Sequence, residues 1–75
     1  VVKVINTYGY IIKQISLSNS VLEVTTDQSK IFRFSLVDDL TVQLKRYIAV
    51  ANRIKSDSLE FTSVDFRFER PVLKN

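Results

Sequence analysis

The sequence predicts an α+β domain, an antiparallel β-sheet with one main α-helix packed on one face. Three observations predict it. Residues 10–36 hold three runs in which apolar and polar residues alternate, separated by short turn clusters. From Leu40 the apolar spacing changes to the helical period, and after Ser56 strand character returns. A helix with one apolar stripe, set between strands with one apolar face, buries both by lying on the sheet.

Val1–Ile5 is a β-branched run that reads as a short strand, closed by the turn Asn6-Thr7-Tyr8-Gly9. Tyr10–Leu17 follows, with Ile11, Ile15 and Leu17 on one face and Gln14 and Ser16 on the other. Ser18-Asn19-Ser20 turns the chain into Val21–Thr26, where Leu22 and Val24 face inward and Glu23 and Thr25 outward. Asp27-Gln28-Ser29 leads into Lys30–Leu36, with Phe32, Phe34 and Leu36 opposed to Arg33 and Ser35. Three strands joined by such short turns make an antiparallel meander.

Leu40, Leu44, Tyr47, Ile48, Ala51 and Ile54 form the apolar stripe of a helix from Leu40 to about Lys55. Asp38 or Asp39 is its N-cap, because a short carboxylate accepts the free amide hydrogens of a first turn. Ser56-Asp57-Ser58 ends it. In Leu59–Phe68, Thr62, Val64, Phe66 and Phe68 share one face, and Asp65 and Arg67 the other. Leu59 and Phe61 have the opposite parity, which asks for a bulge or loop. Glu69-Arg70-Pro71 is a turn, and Val72–Lys74 a last short strand. The core expected from these phases sets Leu44, Ile48 and Ala51 against Phe32, Phe34 and Phe66. Phe61 and Phe68, near strand ends, are the aromatics open to a surface role.

The 75 residues make a single domain. Because the chain starts at Val1 on an apolar run, it reads as a fragment of a longer protein, with any membrane anchor and upstream domain elsewhere. Cysteine and histidine are both absent. Their absence removes disulfides, thiolate metal sites, the commonest metal ligand and the usual general base near neutral pH. A single glycine, Gly9, cannot build a phosphate loop. The serines fall in turns, where hydroxyls stabilise local backbone, and helix capping accounts for Asp38-Asp39. The expectation is therefore no catalysis, no cofactor, no metal and no small-molecule substrate. No apolar run reaches the ~20 residues that span a bilayer.

The net charge is +3, with the basic residues spread along the chain. Lys45, Arg46, Arg53 and Lys55 are the densest group. They suit the C-terminal half of a helix, whose dipole favours cations. As the alternative, they are the surface a small nucleic-acid-binding module would use.

The run Ile31-Phe32-Arg33-Phe34-Ser35-Leu36-Val37-Asp38-Asp39, then Leu44-Lys45-Arg46-Tyr47-Ile48, then Val64-Asp65-Phe66-Arg67-Phe68 resembles the membrane-distal β-domain of the FtsQ/DivIB bacterial cell-division proteins. The preceding hairpin, Ile11–Thr26, fits in length, so the resemblance covers roughly residues 10–75. Phe34-Ser35 stands where that family usually has Leu-Gly, and Arg70-Pro71 where it has a small turn. The resemblance implies a single-span protein whose bulk lies on the extracytoplasmic face of the bacterial cell membrane at the division septum. It implies binding to small membrane-anchored coiled-coil division proteins of the FtsB/DivIC and FtsL types, by strand pairing at the C-terminal edge. Carried over by position, the partner-binding residues are Val50, Arg67, Phe68, Val72, Leu73 and Lys74. From the residues alone, Arg70, Pro71 and Lys74 read equally well as edge protection against self-pairing.

Overall fold

The computed structural model describes residues 5–6 and 9–75. Strands β1 (Ile12–Ser18), β2 (Val21–Thr26) and β3 (Ile31–Ser35) precede helix α1 (Leu40–Asp57), which is followed by β4 (Ser63–Asp65) and β5 (Val72–Lys74). They form one five-stranded sheet in the order β1-β2-β3-β4-β5. The α+β class stands, with the helix on one face. Neighbours pair antiparallel except β3 and β4, which run parallel. The sheet is therefore mixed, because α1 carries the chain back along the sheet and β4 enters in the direction of β3.

Non-glycine residues make the turns. Asn19 (φ 50°) and Ser20 (φ 61°) are both left-handed, and Ser18 pairs directly with Val21. This is the two-residue primed hairpin whose twist matches that of the strands. At the second turn Ser29 is left-handed (φ 61°), and the buried Thr26 hydroxyl accepts from Gln28 N–H (3.3 Å) and Lys30 N–H (3.1 Å).

The strand expected over Val1–Ile5 lies outside the described residues apart from Ile5, which is buried and has helical backbone together with Asn6. Thr7 and Tyr8 of the expected turn also lie outside them. Gly9, at φ 89°, donates its N–H to the Asn6 carbonyl (3.2 Å).

Asp39 is the N-cap. Its Oδ1 accepts from Thr41 N–H (2.9 Å) and Val42 N–H (3.4 Å). Ser58, left-handed at φ 51°, closes the other end by donating its N–H to the Ile54 carbonyl. The buried axis of the helix is Gln43, Tyr47 and Ala51, while Leu40, Leu44, Ile48, Val50 and Ile54 flank it half-buried. Leu44 and Ile48 thus sit at the margin of the core. Tyr47 occupies the centre, with ring centroids 5.3 Å from Phe32 and 5.5 Å from Phe66. Phe34 stacks on Phe66 at 5.2 Å.

Phe61 belongs to this core, not to a recognition surface. Its ring stacks on Phe32 at 6.0 Å, and Lys30 Nζ lies 4.9 Å above it while donating to the Phe61 carbonyl at 2.6 Å. The strand read over Leu59–Phe68 is only three residues long. Asp65 ends it, because its Oδ1 accepts the Arg67 N–H (3.1 Å) and bends the chain. Phe66 consequently turns into the core and Phe68 out of it.

Gln43 is the buried polar residue that sets the helix on the sheet. Ile31 N–H donates to Thr62 O and Phe66 N–H to Arg33 O, so odd-numbered residues of β3 direct their backbone groups towards β4. Ser35 is the next in that series, beyond the end of β4. The Gln43 side chain takes its place, accepting from Ser35 N–H at 2.6 Å and donating to Ser35 O at 2.7 Å. Gln43→Ala should leave both Ser35 groups buried without partners and cost about 2–4 kcal/mol in denaturant titration. Gln43→Glu should recover only part of the loss, since it lacks the donor. A loss near zero for Gln43→Ala would mean that the clamp contributes nothing.

Candidate partner-binding edge

β5 is an edge strand exposed at each of its residues. Its register sets Lys74 opposite Ser63, Leu73 opposite Val64 and Val72 opposite Asp65. The Thr62 carbonyl and the Phe66 N–H bond to β3, so Ser63 and Asp65 face β5 with Lys74 and Val72 as partners. The Thr62 N–H also donates to the Lys74 carbonyl at 2.7 Å. Leu73 is left with its N–H and C=O directed away from the sheet. Pro71, of the same parity, contributes a carbonyl but no donor.

The six residues that the family resemblance implies gather around this strand but divide between its two faces. On the helix face Val50 and Leu73 line a shallow cleft of about 330 Å³ with Arg53, Leu59 and Pro71. On the opposite face Arg67, Phe68, Val72 and Lys74 line a second cleft, of about 360 Å³, with Arg33, Ser63 and Asp65. An extended segment laid along β5 would place alternate side chains in the two clefts. Leu59 and Arg53 were not legible as members of this surface. They reach it only through the end of the helix, and no periodicity links them to Leu73, whereas Pro71 shares its parity.

Charge on the open face is already organised. Glu23, Arg33 and Asp65 are successive cross-strand neighbours, with Arg67 after them. Arg33 Nε lies 3.0 Å from Glu23 Oε2, and Arg67 Nε lies 2.9 and 3.0 Å from the two Asp65 oxygens. Burial pushes the Asp65 carboxyl up. The hydrogen bonds from the Arg67 side chain and backbone, with the charges of Arg67 and Arg33, outweigh it and hold the group below its ordinary value. Arg67 is raised by the same hydrogen bond. The Arg67 guanidinium also lies 5.4 Å from the centroid of the Phe68 ring, which is half exposed. Arg67 is therefore a fixed support for Phe68 more than a free charge. Arg70 and Lys74 take part in none of the ion pairs among the described residues.

The basic helix residues do not form one stripe. Arg46 lies beside Asp38, Asp39 and Arg67; Arg53 faces the β5 cleft and pairs with Asp57 at 3.3 Å; Lys55 lines a third cleft with Tyr10 and Gln28. The aromatics that could stack on bases are mostly in the core. Among the described residues no group of three or more acidic side chains could hold a metal ion, and no helix is long and apolar enough to cross a membrane. No family model matches the chain, and no curated protein matches it significantly.

A carboxyl held low in the folded state stabilises the fold above its unfolded value, near 3.9, and loses that contribution as pH falls through the lower folded value. Asp65→Asn should therefore lower stability at neutral pH by about 1 kcal/mol, discounted for the partly exposed arginine. It should also flatten the loss of stability below about pH 4. Identical acid limbs for the two proteins, in urea titrations at several pH values, would exclude Asp65 as their source.

Proposed function

We propose that the domain is a non-catalytic scaffold module that binds a protein partner by strand addition at β5. The observation that carries this reading is the outward-facing backbone of Leu73 between two clefts that alternate side chains could fill. Backbone bonds give affinity in this mode, and flanking pockets give selectivity. Leu73 and Val50 would receive an apolar side chain on the helix face. Phe68, propped by Arg67, and Val72 would receive one on the open face, while Arg70 and Lys74 favour an acidic segment.

The resemblance of Ile31–Asp39, Leu44–Ile48 and Val64–Phe68 to the FtsQ/DivIB proteins supports, as the partner, a small membrane-anchored coiled-coil division protein of the FtsB/DivIC or FtsL type. On this reading the domain works at the division septum, outside the cytoplasm, held to the membrane by an anchor beyond the 75 residues.

Leu73→Pro removes the outward N–H and leaves the bonds to β4 in place, so it separates docking from folding. Leu73→Pro, Phe68→Ala and deletion of Val72–Asn75 should each weaken binding of an FtsB/DivIC-type partner at least tenfold in titration calorimetry, with native-like circular dichroism. Full-strength binding by a folded Leu73→Pro variant would place the docking surface elsewhere. Tight, salt-sensitive binding to an oligonucleotide would favour the basic helix instead.

A further inference from the structure

The other edge of the sheet is built differently. β1 is seven residues long and exposed along nearly all of its length. Ser20 O accepts from Leu36 N–H, and Thr26 N–H donates to Lys30 O, so even-numbered residues of β2 bond to β3 and odd-numbered ones to β1. The partners of those odd residues are Gln14, Ser16 and Ser18. Ile15 and Leu17 therefore turn their N–H and C=O groups away from the sheet.

Their side chains lie opposite Val24 and Leu22, on the face that α1 covers further along, yet they are 46% and 63% exposed. Between Gln14 and Ser18 there is no charge, no proline and no bulge, the one irregularity lying before Gln14, and among the described residues no other strand pairs with this edge. β5 is short, carries Lys74 and is preceded by Arg70 and Pro71.

We infer that β1 pairs with β1 of a second copy of this chain, antiparallel about a two-fold axis at Ser16. That register sets Ile15 of one copy opposite Leu17 of the other, each pair exchanging both backbone bonds. It joins the two exposed apolar strips on the helix face. Gln14 falls opposite Ser18, and Lys13 opposite the turn at Asn19, so no like charges meet. A charged partner strand would find no counter-charge to select it here; the complement this edge offers is its own sequence. The contact is isologous and closes at the dimer, since Pro71 and its charged neighbours oppose β1-to-β5 chaining. It leaves β5 open, and it stands whatever binds there.

Sedimentation of the 75-residue chain from micromolar to millimolar concentration should show its mass rising from 8.7 kDa towards twice that value. Leu17→Pro, which removes an outward N–H without breaking a bond to β2, should hold the chain monomeric with native circular dichroism. If that variant does not fold, the double variant Ile15→Lys, Leu17→Lys serves the same purpose. The chain has no cysteine, so Ser16→Cys supplies a sole thiol at the axis, where facing Cβ atoms come closest. It should oxidise to a covalent dimer at least tenfold faster than Asn52→Cys on the exposed helix surface. A chain that stays monomeric throughout overturns the inference. So does a dimer indifferent to both sets of β1 substitutions, or a monomer whose Ile15 and Leu17 amides resist hydrogen exchange because its own chain covers them.

Discussion

One helix must seal a sheet five strands wide, and it cannot. An α-helix is about 10 Å across with its side chains, and strands lie about 4.8 Å apart, so a single helix shields two or three of them. The position of every buried residue follows from where that shield falls. α1 packs on β3, and the fully buried side chains come from β2, β3, the residues around β4, the helix and Ile5. The outermost strands lie beyond it. Both of them expose apolar side chains on the face that is sealed at the centre, Ile15 and Leu17 on one side and Leu73 on the other.

Polar groups decide how the shield is held. Gln43 satisfies the last backbone groups of β3 where no further strand pairs with them, and so fixes the height of the helix along the sheet. Asp65 does the corresponding work for β4 by ending it and turning Phe66 inward. With Asp39 at the start of the helix, these are short-range devices that convert periodic segments into one defined packing. No buried side-chain polar atom among the described residues lacks a partner, so the core carries none of the penalty that loose polar groups impose.

What was legible in the sequence was whatever repeats. The meander, the helix, Asp39 as one of two possible caps, and Phe32, Phe34 and Phe66 as core all follow from period and from capping chemistry. Gln43 was not legible, because a glutamine on a helix is ordinarily solvated and only the end of β4 gives it a buried partner. Parity left Phe61 open between core and surface, and it lies in the core, stacked on Phe32 with Lys30 over its ring. Parallel pairing of β3 with β4 could not be read either, as strand direction is a property of the path between strands. The six edge residues came from the family resemblance and not from period, and their division between two faces needed the register of β5.

The same register carries a consequence for the order in which the molecule assembles. β1, β2 and β3 are joined by short turns and close small loops, whereas Phe32 meets Val64 only after the whole helix has been traversed. Long closures carry the larger entropic penalty and come later. Among the described residues β5 pairs only with β4, in a short hairpin that is marginal alone. It is therefore held only once that late step is complete, and it lies at an open edge where fraying starts. Anything that adds to β5 thereby acts on the least durable part of the fold. Its binding energy and the local cohesion of the domain are drawn from one source, and occupancy of the edge would register as slower opening of the strands beneath it.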